Sequence, residues 1–217
     1  MQNRQVGKGA VSKSYCALFL TKDTENGFEN RPVTAEDRQE IRQMLKAGRP
    51  DLLAIGTPGG SKAASLLKET GDKREEILPS WLLEEAAASP SGKELLPGIR
   101  EALREADTQS AVIFPASDKG IFGALWEMGE ALMCGIEADL MRIPMKQSVI
   151  EVLECYGLNP YEEDSDGVFL LVCRDGSEAE RLLKEAGIPA ALMGKLTAKA
   201  DRVLYTTEGV RYLNAVR

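Results

Sequence analysis

Histidine is absent from the 217 residues of this sequence. Without imidazole there is no Ser-His or Cys-His nucleophile, no histidine general base and no histidine-ligated zinc or iron. Any catalysis would depend on carboxylates, Lys, Arg, backbone amides or a bound magnesium ion. We therefore assign no catalytic residue, no metal ligand and no cofactor from the sequence.

Positive charge and long apolar runs are also scarce. The chain has 27 Lys and Arg against 34 Asp and Glu, which gives a net charge of −7. Since nucleic-acid binding depends on clustered basic residues, we expect no nucleic-acid partner. Apolar stretches such as residues 167–173 fall far short of the ~20 residues of a membrane helix, and the first twenty residues lack a signal-peptide pattern. We expect a cytoplasmic protein with no membrane contact.

The four cysteines are widely spaced and form no C-x-x-C pair. Each lies among apolar residues, and free cysteine behaves as a small buried hydrophobe unless a neighbouring base lowers its pKa. We predict four reduced thiols in the core: Cys16, Cys134, Cys155 and Cys173.

Hydrophobic residues make up 43% of the chain and charged residues 28%, which is typical of a folded globular protein. Strand and helix patterns alternate, and this predicts an α/β (α+β) fold with one mixed β-sheet packed with helices. We divide the chain into an N-terminal arm, residues 1–47, and a domain, residues 48–217. The predicted strands are 15–21, 51–57, 111–115, 136–140, 167–173 and 190–196. The predicted helices are 34–47, 61–69, 120–133, 146–156 and 177–187. Two or three further helical segments are predicted within 73–106, with a surface loop at 86–92, and a hairpin is predicted at 201–216.

A glycine loop, GTPGGSK at residues 56–62, follows a predicted strand and opens a predicted helix that Ser61 could cap. Free amides at a helix N-terminus attract anions. The spacing is not that of a Walker loop, because Gly60 precedes Ser61 and Lys62 in the wrong order. Two interpretations remain: a tight structural turn, or an anion site formed by Gly59, Gly60 and Ser61.

A polar elbow, FPASDKG at residues 114–120, precedes a second helix. Ser117 could cap that helix, and Lys119 adds positive charge beside the amides that begin at Gly120. Asp118 opposes an anion at the same place. Ser117, Lys119 and Gly120 are therefore candidate anion- or ligand-binding residues, and the alternative is an ordinary turn.

An acidic stretch, PYEEDSDG at residues 160–167, imitates the start of a calcium loop. The bidentate acid that should close such a loop would fall at position 173, where the sequence has Cys173. We predict an acidic, solvent-exposed turn between a helix and a strand.

Five segments within residues 48–217 carry a family resemblance. They are DLLAIGTPGGSKAASLL, GIFGALWEMGEALMCGIEADLMRIPMKQSVIEVLECYGLNPY, DGVFLLVC, GIPAALMGKLT and VLYTTEGVRYL. In sequence and order they resemble the C-terminal domain of the aminoimidazole ribonucleotide (AIR) synthase-related superfamily, and within it the branch of the hydrogenase maturation factor HypE. The resemblance implies the fold of that domain.

The sequence also departs from the family. The family's H-D-x-T-x-G-G-like turn corresponds to residues 114–120, which keep only Ser117, in place of threonine, and Gly120. Residues 1–47 are too short for the family's ATP- and magnesium-binding N-terminal domain. The chain ends NAVR, where the carbamoyl-dehydrating members end in cysteine. These departures lead us to expect no ATP-dependent catalysis by this chain alone.

Three functions remain open at this stage. The first is a divergent standalone domain that acts as a protein-interaction or self-associating module. The second is a subunit of an ATP-dependent maturation or synthetase-type enzyme whose nucleotide-binding domain lies on another chain. The third is a small anion- or phosphate-binding protein.

The family's N-terminal domain covers apolar surface, so we expect a homodimer, or a protein partner, to cover it here. The strand at 15–21 could join its own sheet or that of a second copy, which puts the arm at or near the predicted interface.

Overall fold

The computed structural model describes residues 15–20, 28–70, 77–104, 111–116 and 118–215, so parts of the predicted arm lie outside the described residues. In the described part, no helix has both the length and the apolar character needed to cross a membrane. The elements are β1 Cys16–Leu20, β2 Phe28–Pro32, α1 Ala35–Ala47, β3 Asp51–Ile55, α2 Gly60–Thr70, α3 Ser80–Ala87, α4 Gly92–Leu103, β4 Val112–Pro115, α5 Gly120–Leu132, β5 Gly135–Asp139, a 3₁₀ turn Leu140–Arg142, α6 Gln147–Glu154, β6 Phe169–Cys173, α7 Gly176–Glu185, β7 Ala190–Thr197, β8 Arg202–Thr206 and β9 Gly209–Tyr212.

All nine strands join one sheet in the order β2-β1-β4-β6-β3-β7-β5-β8-β9. Every neighbouring pair is antiparallel except β5 and β8, which run parallel. The predicted mixed sheet packed with helices is therefore confirmed, and so is the terminal hairpin, which is formed by β8 and β9. Strand β1 lies between β2 and β4 of the same chain, so β2 and not β1 is the edge strand on that side.

Strand β3 shows why the central strands are mainly apolar. Leu52 and Ala54 point into one core cluster, which contains residues of α1 and α5. Leu53 and Ile55 point into a second cluster on the opposite face, which contains residues of α4 and α7. Successive side chains of a strand alternate between faces, so a strand covered on both sides needs an unbroken apolar run.

A third, smaller cluster packs α2 against α3 and α6. Its fully or nearly fully buried side chains include Ala63 from α2, Leu82 from α3 and Leu153 from α6. This layer holds the N-terminal end of α2, and with it the glycine loop, against the rest of the fold.

The spacing of Thr34 and Asp37 in the sequence predicts a capping box, and helix α1 begins with one. Thr34 Oγ1 accepts the Asp37 amide, and the Asp37 carboxylate accepts the Thr34 amide at 2.7 Å. Arg31 of β2 donates two hydrogen bonds to the same carboxylate, at 2.6 and 2.8 Å. These bonds, the guanidinium's first and then those from Thr34, lower the pKa of Asp37 to about 2 against the opposing effect of burial. The network fixes the edge strand to the helix.

The cysteines only partly follow the prediction of four core thiols. Cys134 and Cys173 are buried, and burial raises the pKa of each thiol to about 12. Cys155 is half-buried and Cys16 is exposed. For Cys16 the prediction is wrong, because this residue lies opposite Pro32 at the end of the β1–β2 ladder, outside the core.

Candidate functional site

The glycine loop connects β3 to α2 as predicted, and its glycines are needed because other parts of the chain come very close. Gly56 has φ +87° and Gly59 has φ +73°, both in the left-handed region. A side chain at Gly56 would clash with the carbonyl of Gly167, and a Cβ at Gly59 would lie 2.6 Å from Leu153 Cδ1. Helix α2 begins at Gly60. The loop is therefore a tight turn that the surrounding structure encloses.

Residues 159–167, which we call the acidic loop, provide one of those close contacts. The amide of Gly59 donates a hydrogen bond to Ser165 Oγ at 2.9 Å. The Ser165 hydroxyl donates in turn to the Glu163 carbonyl at 2.8 Å, and Ser165 is fully buried. The Gly59 amide, which the sequence offered as an anion-binding group, is thus satisfied by a serine of the same chain.

Ser61 lies in the first turn of α2 and not at its cap position. Its hydroxyl donates to Asp164, with the carbonyl oxygen at 2.7 Å and a carboxylate oxygen at 3.1 Å. It also accepts the Asp166 amide at 3.0 Å. The expected capping role of Ser61 is therefore wrong, and this side chain joins the glycine loop to the acidic loop.

The acidic loop meets two further helix starts. Asp166 Oδ1 accepts the amide of Gly92, the first residue of α4, at 3.2 Å. The Tyr161 carbonyl accepts the amide of Phe122, in the first turn of α5, at 3.1 Å. Since a helix N-terminus carries partial positive charge, an acidic segment is stabilised where three of them converge. The prediction of a solvent-exposed turn is therefore wrong for Ser165 and Gly167, which are buried.

The polar elbow also ends against the acidic loop. Gly120 has φ +61°, and a Cβ there would lie 2.5 Å from the Tyr161 carbonyl oxygen. Lys119 directs its ammonium toward Glu127 on the next turns of α5, with Nζ and Oε1 4.0 Å apart. Ser117 lies outside the described residues. The structure thus brings the two predicted glycine-containing turns into contact with one loop.

Two clefts open beside the glycine loop. The larger has a volume of about 540 Å³ and the smaller about 170 Å³, and both are lined by Ser89, Pro90 and Asp166. Charges of both signs line them, namely Lys68 and Glu94 in the larger and Lys146 in the smaller. The sequence identified residues 86–92 only as a surface loop; the serines of ASPSG were the one signal that could have marked them as lining a polar cleft.

The clefts offer hydroxyl groups, ammonium groups and carboxylates, which suits a polar ligand better than an apolar one. Two of the carboxylates already have partners, because Asp166 accepts from Gly92 and Glu94 accepts from the amide and hydroxyl of Ser91. Those bonds from Ser91 lower the pKa of Glu94. In the described part of the chain, no group of three or more acidic or cysteine side chains could hold a metal ion.

Comparison with known proteins finds no matching family model and no matching curated protein. Solved structures do match. The HypE–HypF complex matches with a TM-score of 0.58 and 22% identity, over 76% of this chain and 52% of that chain. HypE in complex with ATP matches with a TM-score of 0.59 and 18% identity, over 77% and 51%. Thiamine-monophosphate kinase from Stenotrophomonas maltophilia K279a matches with a TM-score of 0.51 and 18% identity, over 69% and 48%.

This chain spans about half the length of the structures it matches. At these identities the likeness is one of fold. It agrees with the segments that already resembled this superfamily in the sequence, among them the glycine loop and the run that leads into the acidic loop. Over about three quarters of its length the chain has the α/β fold of these HypE structures.

Proposed function

We propose that this domain acts by binding protein, including a second copy of itself, and does not carry out ATP-dependent chemistry alone. The observation that carries the proposal is the acidic loop, which provides the oxygens that accept from Gly59, Gly92 and Phe122. A phosphate group at these helix starts would have to displace the chain's own acceptors and lie beside Asp164 and Asp166. Both the lost bonds and the like charge oppose phosphate binding.

A role in protein binding is supported by apolar side chains on the surface. Trp81 and Tyr212 are 63% and 67% exposed, and aromatic residues of this kind dominate the energetics of protein interfaces. Among the matched structures, HypE is found in a complex with HypF. That complex concerns HypE, and we extend from it only the proposal that this chain, too, binds protein.

Two measurements on the purified full chain test the proposal. Calorimetry with ATP and magnesium should show no affinity tighter than about 1 mM, equivalent to roughly −4 kcal/mol. Light scattering should give the mass of a dimer. A micromolar dissociation constant for ATP would contradict the first half of the proposal, and a monomer that binds no protein would contradict the second.

One alternative is a subunit whose nucleotide-binding domain belongs to another chain. It is favoured by a specific observation: this chain matches half of a HypE chain that binds ATP. Under this alternative, a mixture with the complementary chain would bind ATP while this chain alone would not. Such a result would replace independent protein binding with enzyme assembly.

The anion-binding alternative concerns Gly59, Gly60, Ser61, Lys119 and Gly120. Inorganic phosphate that occupied these turns would raise the unfolding temperature in a saturable manner. We expect no such rise, because the amide of Gly59 and the hydroxyl of Ser61 already have partners within the chain. A saturable rise that is lost in a Gly60→Asp variant would support this alternative instead.

A further inference from the structure

The two edges of the nine-stranded sheet are built differently. Edge strand β2 ends in Pro32, which has no amide to donate, and its Arg31 is bound to Asp37. Proline and engaged charges are common means of preventing an edge strand from pairing with another chain. Edge strand β9 has no proline, and all four of its residues, Gly209–Tyr212, are exposed. Its charged residue, Arg211, pairs with Glu208 of the adjoining turn and not with a helix.

The hairpin of β8 and β9 also has an apolar face. Tyr205 lies opposite Val210 and Val203 lies opposite Tyr212, so these four side chains share one face of the sheet. Leu204 points to the other face and joins the core. Seven large apolar side chains are exposed among the described residues, and three of them, Tyr205, Val210 and Tyr212, belong to this face. Single exposed apolar residues are ordinary, whereas a cluster at an exposed sheet edge indicates an interface.

We propose that β9 pairs in antiparallel fashion with β9 of a second copy, about a two-fold axis that passes through Val210. The inference rests on the self-association proposed above and assigns its site. Two identical edges related in this way satisfy each other's backbone donors and acceptors, and both copies use the same surface. Val210 faces Val210 of the second copy, and the apolar faces of the two hairpins become continuous.

The charges at the two ends of β9 favour a second copy in this register. Glu208 and Arg211 are exposed and form an ion pair within one hairpin. Pairing about Val210 places Arg211 opposite Gly209 of the second copy, which has no side chain, so the guanidinium can reach that copy's Glu208. Pairing about Arg211 would instead oppose two guanidinium groups, which destabilises a cross-strand pair. Opposite charges therefore meet in the first register and like charges in the second.

The test uses the full chain, with sedimentation velocity and light scattering from low micromolar to submillimolar concentration. Val210→Lys places a charge at the centre of the pairing and should weaken the dimer at least about tenfold. Ile77→Lys is the matched control, because Ile77 is 62% exposed and Val210 59%, and it should leave the dimer within about twofold. Thermal unfolding of each variant verifies that it folds.

A cross-link tests the register independently of any loss of stability. Directly opposed residues of an antiparallel pair have Cα atoms about 4.5 to 5.5 Å apart, within the range of a disulfide. Val210→Cys, with the exposed Cys16 replaced by serine, should form a disulfide-linked dimer under mild oxidation, and Ile77→Cys in the same background should not. A wild-type dimer that is unchanged by Val210→Lys and not cross-linked by Val210→Cys overturns the β9 interface and leaves the proposed function standing. A wild-type monomer overturns both the β9 interface and the self-association on which it rests, while binding to another protein is tested separately.

Discussion

Replacement of Ser165 by alanine tests how the acidic loop holds the glycine loop. Ser165 Oγ accepts the amide of Gly59 at 2.9 Å and donates to the carbonyl of Glu163 at 2.8 Å. Both Ser165 and Gly59 are buried, so water does not readily replace the lost hydroxyl. The variant leaves one buried amide without its acceptor and one carbonyl without its donor.

The expected cost follows from these two bonds. A buried donor that loses its partner costs about 1 to 3 kcal/mol, and an ordinary hydrogen bond contributes about 1 kcal/mol. The variant no longer buries a polar hydroxyl, and this offsets part of the cost of the lost bonds. We therefore expect Ser165→Ala to lower the free energy of unfolding by about 2 kcal/mol. For a domain with a typical stability of about 5 to 15 kcal/mol, that loss is large.

Urea denaturation at pH 7 measures the loss, with Ser177→Ala as the control. Ser177 is an exposed serine in the first turn of α7, and its replacement should change the stability by less than about 0.5 kcal/mol. Hydrogen exchange adds a local readout: the Gly59 amide should lose protection in Ser165→Ala, while amides of β6 keep theirs. If the free energy of unfolding of Ser165→Ala is within about 0.5 kcal/mol of the wild-type value and the Gly59 amide stays protected, Ser165 does not hold the glycine loop.

Three further predictions concern other parts of the fold. The pKa of Asp37 is lowered from 3.8 to about 2, so its ionised carboxylate contributes about 2 kcal/mol to the free energy of unfolding above pH 4. This contribution disappears as the pH falls toward 2. Asp37→Asn should therefore be less stable than the wild type by about 2 kcal/mol at pH 7 and nearly as stable at pH 2. Urea melts at both values check this; an equal deficit at both would contradict the contact with Arg31. Gly129→Ala should destabilise by about 1 kcal/mol despite better helix propensity, because its methyl group would displace the Arg202 guanidinium from the Trp126 ring and from Glu130. A stabilised variant in thermal melts would contradict this. Alkylation of the native protein followed by mass spectrometry should modify Cys16 before the two thiols whose pKa is raised to about 12; equal rates would argue against their burial.

Short patterns in the sequence predicted the elements whose positions depend on neighbouring residues. The Thr34 and Asp37 capping box predicted the start of α1, and the apolar run at 52–55 predicted a buried strand. The glycine loop and Gly120 marked the starts of α2 and α5, and in the structure Gly59 and Gly120 both have left-handed backbone. Each of these predictions used residues within a few positions of one another.

The contacts of the acidic loop could not be predicted from short sequence patterns. Its composition is that of a solvated turn, and the bond from Ser61 to Asp164 joins residues 103 positions apart. No periodicity or spacing reports such a contact. The burial of Ser165 and the exposure of Cys16 likewise depend on which strands become neighbours, and the order of the sheet is set by tertiary packing.

The position of β3 also affects how the chain is made. Both neighbours of β3 in the sheet, β6 and β7, are synthesised more than 100 residues after it. At a translation rate of about 5 to 20 residues per second, β3 leaves the ribosome roughly 5 to 20 seconds before either partner exists. During that interval its four buried apolar side chains have no sheet to join. We therefore expect the growing chain to expose these side chains to chaperones until β6 and β7 emerge.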